Sequence, residues 1–114
     1  MRNTVKIGDR EFVLESNAAT CYRYKQVFKK DLFEIMRSVT DNVSIEIFQE
    51  LAYVMYKQGK GEAKTVSLDD FFAWLEGFEP LDFANASEGI INTYMSQKEE
   101  TSESKKKADL PQES

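Results

Sequence analysis

The chain has 114 residues, a length that fits one hydrophobic core and argues against a second domain. Eight Phe, five Tyr and one Trp supply large side chains for that core and exclude disorder throughout, while a net charge of −5 without a Lys/Arg-rich patch argues against nucleic acid as a partner. No apolar run nears the ~18 residues of a membrane-spanning helix, Met1 to Arg10 lacks a signal peptide's apolar stretch, and the single Cys21 fits a reducing compartment, so a cytoplasmic protein without a membrane partner is expected.

From Val5 to Leu14, apolar residues alternate on either side of Gly8-Asp9, which predicts a β-hairpin. Two strands are marginal alone in water, so the face with Val5, Ile7, Phe12 and Leu14 must rest on helices. Asn17 is placed to cap a helix from Ala18 to about Lys30, with Cys21, Tyr24 and Phe28 on its buried stripe. Asp31 and Glu34 form a capping pair for a short second helix that buries Leu32, Ile35, Met36 and Val39, and Thr40-Asp41-Asn42 reads as a turn.

The strongest pattern runs from about Val43 to Gln58, where Ile47, Phe48, Leu51, Ala52, Val54 and Met55 make a face wider than one stripe. It reads as the central core helix, with Glu46, Glu50 and Lys57 on its wet side and Gly59 just past its end. A polar loop, residues 60–66, follows. Ser67 with Asp70 opens a fourth helix carrying Leu68, Phe71, Phe72, Leu75 and Phe78 inward. Pro80 suits the first turn of a fifth, in which Phe83, Ile90, Ile91, Tyr94 and Met95 face the core across Gly89. The predicted fold is therefore mainly α: a short N-terminal β-hairpin on a compact bundle of about five helices over residues 1–97, then a disordered charged tail over 98–114.

Catalytic chemistry finds little support. With no histidine, the commonest general base, the Ser-His and Cys-His nucleophiles and most zinc sites are gone. Cys21 shares a stripe with Tyr24 and Phe28 and reads as a small core residue. Asp69-Asp70 and the group Glu76, Glu79 and Asp82 are the densest carboxylates, and favourable placement at helix starts accounts for them. Gly59-Lys60-Gly61 lacks the strand, spacing and Lys-Ser/Thr ending of a phosphate-binding loop. No cofactor, metal site or enzymatic activity is expected. Tyr22, Tyr53, Tyr56 and Trp74 fall at or beyond the edges of their apolar faces, where they either seal the core or anchor a partner. They are the candidate partner-binding residues.

The run Asn17-Ala18-Ala19, then Tyr22-Arg23-Tyr24-Lys25-Gln26-Val27-Phe28-Lys29-Lys30-Asp31-Leu32-Phe33, resembles the opening of the tail assembly chaperones of siphophages and prophages of Gram-positive bacteria. Leu51 to Met55, Phe71 to Phe78 and the triplet Lys105-Lys106-Lys107 agree in the family's order. Lys29 departs from the pattern, in which a glycine is expected before Lys30-Asp31, and this bears on the bend between the first two helices. The resemblance implies a protein absent from the finished virion that binds the tape measure protein while tail tube subunits polymerise. It also implies a longer product, made by a −1 slip near the lysine codons, whose added domain recruits tail tube protein. A homo-oligomer is compatible with that role. The alternative is a small phage or bacterial regulatory module that binds DNA or a regulator protein, for which a basic face on one helix would be the signature.

Because the composition of the tail cannot offset the entropy of ordering it, a truncation after Gln97 should melt cooperatively at nearly the full-length temperature. A large loss of stability would show that the tail packs.

Overall fold

Alternation around Gly8-Asp9 produces an antiparallel hairpin, β1 (Arg2–Ile7) and β2 (Arg10–Glu15), with Val5 opposite Phe12 and Asn3 opposite Leu14. Its inner face carries Val5, Ile7 and Leu14, all buried, and the half-buried Phe12, as the pattern requires. The computed structural model describes residues 1–32, 34–35 and 44–95. The expected tail, the side chains Met36 and Val39 and the turn at 40–42 lie outside the described residues.

Asn17 was expected to cap the first helix, but the N-cap is Ala19, without a side-chain cap, and Asn17 shapes the turn that precedes it. Its Oδ1 accepts the Ala19 N–H at 2.8 Å and its own N–H donates to Thr20 Oγ1 at 2.9 Å, so Ala18-Ala19 form a turn and α1 spans Thr20–Phe28. The buried stripe is Thr20, Tyr24 and Val27, with Cys21 and Phe28 half-buried beside it. The helix stops at Phe28 because Lys29 takes the left-handed conformation, φ +60° and ψ 31°, while its N–H still bonds to Lys25 O. This is the position at which glycine is expected, and a side chain there is strained. Asp31 Oδ1 then accepts the Glu34 N–H at 3.2 Å, the predicted cap, and Leu32 is buried.

Ser44 caps α2 (Ile45–Gly59) through its Oγ and the Glu46 N–H. Its sides meet β2, α1 and all the helices that follow, so it is the central element. The expected wet side is corrected: Glu46 is exposed, but Glu50 and Lys57 are buried, as is Gln58. These buried polar ends have partners, except that Gln58 Oε1 accepts no hydrogen bond among the described residues. Glu50 accepts from Tyr24 Oη and stands 3.0 Å from Lys30 Nζ, Lys57 Nζ lies 3.0 Å from Asp70 Oδ2 and 3.3 Å from Glu62 Oε1, and Gln58 Nε2 donates to Glu15 O and Thr20 Oγ1.

Gly59 is the last helical residue and not the stop. A Cβ there would sit 2.7 Å from Val13 O, so glycine lets the end of α2 close onto β2. The stop is Gly61 at φ +74°, with the Gly61 N–H on Gln58 O and the Glu62 N–H on Lys57 O, a Schellman ending. The loop that follows contains a short 3₁₀ turn, Ala63–Thr65.

Ser67 Oγ accepts the Asp70 N–H at 3.1 Å and starts α3 (Leu68–Leu75), which ends one turn short of Phe78. The inward set was expected to include Leu68 and Phe72. Instead Phe71 is buried, Trp74, Leu75 and Phe78 pack against the core, and Leu68 and Phe72 are 48% and 54% exposed. Five apolar residues at 68, 71, 72, 75 and 78 span more of a helix than one neighbour can cover. The expected fifth helix is two, α4 (Asp82–Asn85) and α5 (Ser87–Met95), with Pro80 in the turn before them. Phe83 and Ile90 are buried as expected, Ile91 and Tyr94 are half-buried, and Met95 is exposed contrary to expectation. The result is a mainly helical fold with one small sheet.

Relieving the left-handed residue should stabilise the fold. Lys29→Gly is expected to gain about 1 kcal/mol, or roughly 4 °C in Tm, with Lys29→Ala near the parent. An unchanged or lower Tm for the glycine variant in thermal denaturation would show that the conformation carries no strain.

Candidate partner-binding surface

Aromatic side chains from five elements touch edge to face, tilted or stacked in one connected set. Tyr24 of α1 packs on Phe28 at 5.1 Å between centroids, Phe28 on Phe71 at 4.9 Å, Phe71 on Tyr53 at 5.2 Å, and Tyr53 on Trp74 at 5.8 Å. Trp74 stacks on Tyr56 at 5.3 Å and meets Phe12, Phe78 and Phe83. Centroid separations of 4.5–7 Å are where such pairs add stability beyond area burial. Arg10 closes the outer end, its guanidinium 4.8 Å from the Phe78 centroid and 5.3 Å from that of Phe12, with Nη2 donating to Gly77 O.

This network sorts the four candidate residues. Tyr53, Tyr56 and Trp74 come together, yet Tyr53 is fully buried, and Tyr56 and Trp74 are half-buried between β2 and α3. The expectation that Tyr53 lies at an edge is corrected. Its neighbours on α3 cover it, and its hydroxyl is engaged, donating to Asp70 Oδ2 at 2.7 Å and accepting the Ser67 N–H at 3.1 Å. Tyr22 takes no part in the ring network and is 76% exposed on α1.

Large apolar side chains held in water include Tyr22 on α1 and Leu68 and Phe72 on α3, the last two four residues apart and so on one side of their helix, while Met1, Val13, Leu81 and Met95 are exposed singly elsewhere. Leu68 and Phe72 were read as core because helical spacing alone does not say how much of a face is covered. The sequence signal that could have separated them is the surplus of apolar positions on so short a helix.

Of the groups considered for chemistry, Cys21, Asp70 and Asp82 are engaged locally. Cys21 Sγ is half-buried and 2.8 Å from Tyr94 Oη, and burial together with that contact pushes the Tyr94 phenol up. Asp82 Oδ2 caps the Glu79 N–H. Asp70, held by the Tyr53 hydroxyl first and by the Lys57 ammonium second, has its carboxyl below the usual carboxylate value of 3.8. Burial raises the phenols of Tyr53 and Tyr24 well above their ordinary value, aided by Asp70 and Glu50 respectively. Among the described residues no group of three or more His, Cys, Asp or Glu could hold a metal ion, and no helix is long and apolar enough to cross a membrane. Comparison with protein-family models, with curated proteins and with solved structures gives no match.

The Tyr53–Asp70–Lys57 arrangement has a pH signature. Since the folded state lowers the Asp70 pKa, the ionised carboxylate stabilises the fold above the unfolded value and this contribution is lost as pH falls below about 3.8. Asp70→Asn should therefore melt below the parent at pH 7, with the gap closing as the pH is taken down through that value. A gap that stays constant down to acid pH would mean that the carboxylate charge is not what stabilises the site.

Proposed function

We propose that this chain is a non-catalytic interaction protein acting as a phage tail assembly chaperone. It binds the tape measure protein in the host cytoplasm, assists tail tube polymerisation and leaves before the virion is finished. The observation that carries the interaction reading is the exposed pair Leu68 and Phe72, in a chain that packs most of its other rings against one another. Leaving such side chains about half in water forfeits roughly 1 kcal/mol each in burial. A binding surface gives that forfeit a use. The specific identity of the client rests on the resemblance of residues 17–33, 51–55 and 71–78 to the tail assembly chaperones. The same resemblance supports recruitment of tail tube protein by a longer −1-frame product.

A holding protein needs apolar area of moderate size, charge for solubility and a rigid body behind the surface. The net charge of −5 supplies the second, and the ring network behind α3 the third. Trp74 and Tyr53 belong to that body, so their replacement would unfold before it informed on binding.

The test is co-expression with the tape measure protein. The parent chain should keep the client soluble, and Leu68→Ser with Phe72→Ser should lower the soluble client several-fold while leaving the chaperone's own melting within about 1 kcal/mol, as exposed positions allow. A client equally soluble alone would contradict the chaperone reading. A client rescued undiminished by the double variant would contradict the α3 surface.

A further inference from the structure

Between α1 and the segment entering α3 runs a groove of about 480 Å³, walled by Arg23, Gln26, Val27 and Lys29 on one side and Lys64, Val66, Ser67 and Leu68 on the other. Its apolar floor is Val27, Val66 and Leu68. Phe72 extends that floor by one turn along α3, and Tyr22 stands one turn before Gln26 on α1.

Three cations frame the floor: Arg23, Lys29 and Lys64. Among the other described cations, Arg2 pairs with Glu15, Lys30 with Glu50, Lys57 with Asp70 and Glu62, Lys60 with Glu62, and Arg10 lies over the rings of Phe12 and Phe78, whereas Lys6 and Lys25 stand exposed on the hairpin and on α1. No carboxylate of a described residue stands within ion-pair distance of Arg23, Lys29 or Lys64. A chain of net charge −5 thus presents, beside the exposed Tyr22, Leu68 and Phe72, a basic rim that no carboxylate among the described residues pairs with.

We propose that this groove is the docking site for an acidic amphipathic helix of a partner protein, whose apolar ridge lies on Val27, Val66, Leu68 and Phe72 and whose flanking carboxylates meet Arg23, Lys29 and Lys64. Charge complementarity selects an acidic segment. The walls select a helix. No strand lines the groove, so an extended peptide would find no ladder to join, whereas a helix arrives with its backbone hydrogen bonds made. Duplex DNA would meet the same cations but gains nothing from the apolar floor between them. The inference rests on the interaction-protein reading and specifies the chemistry of the segment held.

The experiment uses synthetic peptides of about four helical turns, on the order of 15 residues. One carries a leucine ridge flanked by glutamates, a second the same ridge flanked by lysines, and a third glutamates with a serine ridge. Amide shift mapping on the full chain should place the first at Arg23 to Lys29 and Lys64 to Phe72. Fluorescence anisotropy should show it binding at least about tenfold more tightly than the other two, and more weakly as salt rises. Arg23→Glu with Lys64→Glu should reverse the preference between acidic and basic peptides, and Arg23→Gln with Lys64→Gln should weaken the acidic one if the reversed pair folds poorly.

Perturbations mapping elsewhere, equal binding of the lysine-flanked peptide, or tighter binding of a DNA duplex to the same residues would overturn the proposal. So would self-association of the parent, seen by analytical ultracentrifugation, that the reversed pair abolishes, since the occupant would then be a second copy. Acidic-peptide binding with no effect on tape measure solubility would count against the chaperone reading and support the groove. Client rescue without acidic-peptide binding would count against the groove alone.

Discussion

Glu50 and Lys57 lie on the central helix α2 at positions where a one-sided helix would show them to water, and both are buried. Burying an ion without a partner costs several kcal/mol, so α2 can be enclosed only if its neighbours bring the right groups to the right places. α1 and the residue after its left-handed turn supply Tyr24 and Lys30 to Glu50. The start of α3 supplies Asp70, and the loop before it Glu62, to Lys57. Gln58 draws in β2 through Glu15 O and α1 through Thr20. These contacts fix where α1, β2 and α3 stand around α2, and with them the surface that α1 and α3 share.

The aromatic network works in the same direction with apolar material. Rings from α1, α2, α3, β2 and α4 meet in a continuous set, and Tyr53 belongs to both systems through its ring and its hydroxyl. α3 is thereby clamped on its Phe71–Trp74 side. Having spent that side on the core, the helix has nothing of its own chain to place over Leu68 and Phe72 among the described residues. Exposure of this pair follows from how α3 is held and needs no mobility to explain it.

Local chemistry was legible in the sequence wherever donor and acceptor are neighbours in the chain. The hairpin alternation, the caps at Asp31 and Ser67 and the long apolar pattern of α2 all appear as read, within a few residues, while Asn17 shapes the turn before α1 and does not cap it. Contacts between distant residues were not legible. Nothing near Glu50 announces Tyr24, and nothing near Lys57 announces that Asp70 folds back onto it, so charge alone assigned both to water. The division of the last helix at Ala86 and the turn of α3 that shows Phe72 to solvent likewise depend on tertiary packing, which periodicity does not encode. At the candidate site, Tyr53, Tyr56 and Trp74, set apart as edge residues, meet one another, but Tyr53 is core and the other two are half-buried. Their shared reason is a ring cluster, and the exposed apolar surface sits on neighbouring residues.

The central claim is that the face formed by α1 and α3 meets the partner. A photo-crosslinking residue placed at Phe72 in one protein, and at Val13 on the exposed outer face of the hairpin in another, compares two apolar positions of similar exposure, 54% and 41%. With each co-expressed beside the tape measure protein and irradiated, the account predicts a crosslinked chaperone–client band from position 72 and little from position 13. Crosslinking from the hairpin position with none from α3 would contradict it.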